Sequence, residues 1–214
     1  MPQEWLGENR VMTIGTVAPT EVSSPGGDPF RRRLFDGLVG SINERGYRET
    51  TVADIVRHAK TSKRTFYAHF ASKDDCLLEL LDDDNSRTVA GIRAAVDPEA
   101  DWRVQIEQAI DAYITAIEAH PALTLTWIRE FPALGDAVRP VQRRGMDRFI
   151  DLLIEITAGP GFARAGLGPV RRQTALILLG GLRELTAHTM EDGEEIRGIT
   201  EAAVHACVGL ITGR

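Results

Sequence analysis

The chain has 214 residues, 43% of them hydrophobic and 26% charged, which allows a sizeable buried core and excludes a wholly disordered chain. Its two cysteines, Cys76 and Cys207, lie far apart with no C-x-x-C spacing; this argues against a disulfide framework or a structural zinc site and suits a reducing cytoplasm. No apolar run approaches the ~18 residues of a membrane span, and no charged n-region precedes an apolar h-region at the N-terminus.

The net charge of −6 is unevenly spread. Residues 1–29 carry −3, residues 30–75 carry +4, with ten Lys/Arg against six acids, and residues 76–214 carry −7. A phosphate backbone feels charge within a Debye length of ~8–10 Å, so the short basic segment matters more than the total.

Residues 1–28 are rich in Gly, Pro and Ser and lack apolar periodicity, so they are expected to form a flexible arm. Met12 is an alternative start. A first helix follows: Asp28 can cap it, Pro29 suits its first position, Leu34, Leu38 and Ile42 make one stripe, and Gly46 can stop it. A short second helix carries Val52, Ile55, Val56 and Ala59 inward, with Thr51 and Asp54 near capping-box spacing. After a turn at Lys60-Thr61, Ser62 can cap a third helix, 63–70, that buries Phe66 and Phe70. Ser72 and its following acids open a long fourth helix through Leu77, Leu81, Val89, Ile92 and Val96.

The remaining pattern is helical throughout. A fifth helix runs from Asp101 to His120, a sixth ends at Phe131-Pro132, and a seventh covers about 134–157 and bends at Pro140. A loop spans 159–169. An eighth helix covers about 170–190 and a ninth about 194–212. The expected class is all-α: a three-helix helix-turn-helix domain at 29–75, then a helical body of about six helices at 76–214.

Three short helices with a tight turn before the third form a helix-turn-helix, in which the third helix lies in the major groove. The eight residues of 63–70 span ~12 Å, matching a groove ~12 Å wide. With Phe66 and Phe70 inward, the outer face holds Lys63, Arg64, Thr65, Tyr67 and Ala68, side chains that suit phosphates and base edges.

The run from Thr50 to Leu81 resembles the DNA-binding signature of the tetracycline-repressor (TetR) family. The resemblance is carried by Thr51-Val52, Ile55-Val56, Ala59, Ser62, Thr65-Phe66-Tyr67, His69-Phe70, Lys73 and Leu77. It implies a double-stranded operator as partner, with Thr51, Tyr67 and Lys73 touching phosphates and Lys63, Arg64 and Thr65 facing bases. Ser62 belongs to the same DNA-facing set, and His69 is open between DNA contact and packing inside the head. Three residues depart from the family pattern: Lys60 stands where Gly is usual, Thr61 where an apolar residue is usual, and Arg64 where Gly is common. Lys60 strains the turn if its φ is positive.

The resemblance also implies a homodimer held by the last two helices, a small-molecule effector, no cofactor, and a repressor as the default. The residues add their own hints. Gly180-Gly181 inside an apolar helix favours close helix approach, and the ninth helix has a face of small residues. The expected interface is Leu179, Gly180, Arg183, Ala203, Ala206, Cys207 and Leu210. Tyr113, His120, Trp127, Arg129, Arg183 and His188 are polar or aromatic groups on apolar helices and are candidates for a ligand pocket. No G-x-S-x-G, H-E-x-x-H or P-loop occurs, so neither an enzyme nor a metal site is expected. The rival readings are a non-specific DNA-coating protein and, further off, an all-helical enzyme.

Overall fold

The computed structural model describes residues 28–213; the expected arm at 1–28 lies outside these residues except for Asp28. The described residues contain helices and no strand. In chain order the helices are α1 (Pro29–Glu49), α2 (Val52–His58), α3 (Lys63–His69), α4 (Lys73–Ala95), α5 (Trp102–Ala119), α6 (Pro121–Leu125), α7 (Arg139–Thr157), α8 (Pro160–Arg164), α9 (Arg172–Glu191) and α10 (Thr200–Thr212).

The starts are set by side chains that satisfy free N–H groups. Asp28 accepts from the Phe30 amide at 2.9 Å, Ser62 from Thr65 at 3.1 Å, Ser72 from Asp75 at 3.0 Å and Asp101 from Arg103 at 2.9 Å. Thr51 and Asp54 form a reciprocal capping box at α2. Gly46, at φ 78°, breaks the helical path of α1 and leaves a last turn before Thr50.

Leu34, Leu38, Ile42, Ile55, Phe66, Phe70 and Leu77 are buried in one core. Gly37 permits α1 and α2 to meet closely, because a Cβ there would lie 2.6 Å from the Ile55 carbonyl oxygen. The same core takes in Leu123, Phe131 and Val138, so apolar packing continues from the head into the middle of the chain. Farther on, α4 packs on α5 and α7, α9 on α7, and α10 on α5. Val89, Ile92, Val96 and Leu152 make one body core; Trp102, Ile106, Ile110, Ile114, Phe162 and Ala203 belong to another.

Several boundaries differ from the sequence reading. The 159–169 loop contains α8, because Phe162 buries completely against α5. The sixth helix ends its α-geometry at Leu125 and opens into a π-helical turn, Thr126–Glu130, followed by 3₁₀ turns at Phe131–Leu134 and Asp136–Val138. Helix α7 starts only at Arg139, and Pro140 occupies its first turn rather than bending it. A 3₁₀ turn, Ile196–Ile199, precedes α10.

Candidate nucleic-acid interface and ligand cavity

Helix α3 is fixed by two aromatic anchors and leaves its other side to solvent. Phe66 and Phe70 are 0% and 2% exposed, whereas Tyr67 is 58% exposed. Lys63, Arg64 and Ala68 are exposed and Thr65 is half-buried. The Thr65 hydroxyl lies 2.9 Å from that of Ser62, so both sit at the N-terminal end of α3. Lys63 and Arg64 make no ion pair among the described residues, while Arg45 and Arg57 are engaged by Glu44 and Asp54. Hydrogen bonds from His58, Arg45 and Arg57 hold the Glu44 carboxyl down at about 2.

Three of the expected DNA-facing residues have work within the protein. Thr51 caps α2 and donates its hydroxyl to Asp54 at 2.6 Å, an interaction that leads in lowering the Asp54 carboxyl to about 2. The Lys73 ammonium donates to the carbonyl oxygens of Thr50 at 2.8 Å and Tyr47 at 3.0 Å and lies 4.3 Å from the Tyr47 ring centroid. It therefore closes the C-terminal end of α1, where free carbonyls collect. His69 is half-buried, stacks on Phe30 and lies 3.4 Å from Asp28, on the packing side of its two alternatives.

The turn before α3 carries the expected strain. Lys60 has φ 49°, the only positive φ of a non-glycine among the described residues. Sequence reasoning missed the clamp that holds it: Arg33 of α1 donates to the carbonyls of Ala59 and Lys60, both at 2.9 Å. A left-handed L-residue costs ~1–2 kcal/mol. Lys60→Gly is therefore expected to raise stability by about 1 kcal/mol, measured as a higher urea midpoint at unchanged slope; an unchanged or lower midpoint contradicts the strain.

The body holds a half-open cavity of about 120 Å³ walled by α4, α5, α6, α7, α9 and the π-turn. Tyr113, Trp127 and Arg183 of the ligand candidates line it. The other three do not. Arg129 is clamped outside by Glu184 and Glu191, His188 is exposed beside Glu184, and His120 lines a separate groove near α1. The missed wall is Gln142, Gly145, Met146 and Phe149, whose helical spacing on α7 was the available signal.

The interface candidates also divide. Gly180, Ala206 and Leu210 are exposed. Leu179 and Arg183 line the cavity instead, Ala203 is 4% exposed within a core, and Cys207 packs against that core, where burial pushes its thiol up to about 11. Successive helical residues turn by ~100°, so the outward strip of α9 is Ile177, Gly180, Gly181 and Leu185.

Residues 34–80 match the family described as bacterial regulatory proteins, tetR family. The likeness to that family in sequence is confined to the head. The chain is 29% identical over 99 residues to the HTH-type transcriptional regulator EthR of Mycolicibacterium smegmatis, covering 46% of each chain. The chain spans about half the length of the curated relatives it matches. The likeness in fold extends further along the chain. The fatty acid degradation regulator FadR of Bacillus halodurans superposes with a TM-score of 0.75 at 20% identity, covering 88% of this chain and 97% of that one. Bacillus subtilis FadR, solved with stearoyl-CoA, gives 0.72 at 15% identity, covering 86% and 98%.

Proposed function

We propose that this chain is a sequence-specific DNA-binding transcriptional regulator that acts as a cytoplasmic homodimer and leaves its operator when a small molecule fills the body cavity. The observation that carries the reading is α3: a helix pinned by Phe66 and Phe70 that offers Lys63, Arg64 and Tyr67 outward from a tetR-family head. Residues 29–75 are the DNA-binding head and 76–214 the regulatory body. Two heads related by a two-fold axis meet successive major grooves ~34–36 Å apart, so the operator is roughly palindromic. Where it overlaps a promoter, the protein is a repressor.

The head connects directly to α4, whose 23 residues run ~35 Å from Ser72 into the cavity wall at Asp84, Asn85 and Thr88. A ligand bound against that wall shifts the spacing of the two heads. Coupling of ~1–3 kcal/mol changes operator affinity ~5–150-fold, and operator DNA weakens ligand binding by the same factor.

Selection of bound sequences from random DNA tests the reading. A palindromic motif is expected; binding without sequence preference favours the DNA-coating alternative. Arg64→Ala is expected to relax preference at particular bases, whereas Tyr67→Phe weakens all sequences alike. Lys63→Ala reduces the slope of affinity against salt by ~1 if its contact is to phosphate. An unchanged motif for Arg64→Ala removes its base-reading role. Lys73→Ala is expected to lower the melting midpoint through loss of the α1 closure.

A further inference from the structure

Resting on the reading of the cavity as an effector site, we infer that its ligand is a single-tailed amphipath with an anionic head, bound head-first at Arg183 with its tail threaded toward Gln105. A second chamber of about 70 Å³ adjoins the first, and Tyr113, Phe149, Leu179 and Leu182 line both. Along α5 the joined walls run from Gln105 to Ile117, ~18 Å at the helical rise. An apolar cavity of ~150 Å³ admits one benzene ring. Chambers of 120 and 70 Å³ that share Tyr113, Phe149, Leu179 and Leu182 as wall therefore fit a narrow chain better than a fused ring system.

The two chambers differ in chemistry. The second is walled mainly by aliphatic and aromatic side chains; of its polar groups the Gln105 Oε1 alone is buried without a partner. Gln105 donates its Nε2 to the Pro98 and Ala100 carbonyls, and the Thr157 hydroxyl donates to Leu153 and accepts from the Val170 amide. The first holds Asn85, Thr88, Gln142 and Arg183. Arg183 is half-buried, and one guanidinium nitrogen donates to the Ile128 carbonyl at 2.8 Å. The acids that could neutralise it, Glu184 and Glu191, are taken by Arg129. Among the described residues Arg183 has no carboxylate at ion-pairing distance. A half-buried guanidinium that faces a cavity and has no ion-paired carboxylate is a place for a ligand's anion. Asp84 stands on the α4 wall, where burial raises its carboxyl and His120 and Arg87 oppose the shift.

The test uses the full-length protein and calorimetric titration below micelle formation. The probes are sodium octanoate, dodecanoate and hexadecanoate, 1-dodecanol, dodecyltrimethylammonium and dodecanoyl-CoA. Affinity is expected to rise about fourfold per methylene from octanoate to dodecanoate. Dodecanol should bind about tenfold or more weakly than dodecanoate, and the ammonium weaker still. Arg183→Leu should abolish the difference between dodecanoate and dodecanol while leaving dodecanol binding intact, which also reports a sound fold. Ala109→Phe, on the wall of the second chamber, should lose dodecanoate and keep octanoate. Binding of dodecanoyl-CoA without dodecanoate assigns the anion to the nucleotide portion and retains the tailed class. Equal affinity for the carboxylate and the ammonium, no dependence on chain length, or failure of every probe to bind overturns the inference. Operator displacement is read separately by fluorescence anisotropy. Probe binding without displacement refutes the effector reading and leaves the ligand class standing.

Discussion

A protein carrying Ile177→Asp is expected to sediment as a monomer and to bind its operator about 10²–10⁴-fold more weakly, with each isolated head unaffected. Ile177 is 63% exposed, Leu176 50%, Leu210 42% and Leu185 37%. Around them Gly180 and Gly181 meet nothing within 4 Å of an added Cβ. Within one subunit this strip has no packing to explain its apolar character. The proposed two-fold interface would supply the reason and would place the carboxylate twice in a desolvated contact, where an unpaired charge costs several kcal/mol. Because Ile177 projects into solvent, the variant monomer should melt as the intact fold. Gly180→Leu tests the same strip by bulk. Sedimentation of both variants as dimers with full operator affinity would place the interface elsewhere.

Phe131→Ala should be the most damaging single truncation in the middle of the chain. Phe131 is 0% exposed, stacks on Trp127 with centroids 4.9 Å apart, and belongs to the same core as Leu34, Phe66 and Leu77. Deleting a buried Phe costs ~3–5 kcal/mol, and for a chain of this size each kcal/mol lowers the melting midpoint by ~2–4 °C. A fall of about 10 °C is expected. Residue 131 lies far from the head in sequence, so the informative readout is limited proteolysis at α1–α3. Faster cutting there shows that the head depends on this ring. A lower midpoint with unchanged protection of the head contradicts that dependence.

The elements that were legible in the sequence are those with local causes. Asp28, Thr51, Ser62 and Ser72 each cap the helix they precede, and the Phe66–Phe70 spacing sets which side of α3 is buried. What was not legible depends on the tertiary partner. Leu179 and Gly180 are neighbours on one apolar helix, and only the position of α7 decides that the first turns to the cavity and the second outward. The sequence makes Lys73 an expected phosphate contact, and only the fold brings three carbonyls at the end of α1 within its reach. The Gly-Pro-rich stretch before α9 reads as loop because its five-residue helix is stabilised by burial of Phe162, not by propensity. Of the expected ligand set, Arg129 and His188 were drawn from the right helices but face acids instead of the cavity.

Leu81 and Leu123 each belong both to the core beneath α3 and to the wall of the first chamber, and Trp127 packs against that core while lining the same wall. The exposed residues of α3 share no member with the cavity. On the proposed function, changes at Lys63, Arg64 or Tyr67 would therefore alter the site chosen on DNA without touching the ligand, and changes at Met146 or Ala109 would alter the ligand without touching the site. On that function, the two specificities share side chains directly at these three positions. There a substitution selected for one partner is felt by the other, which makes Leu81, Leu123 and Trp127 the positions to hold fixed when either specificity is redesigned.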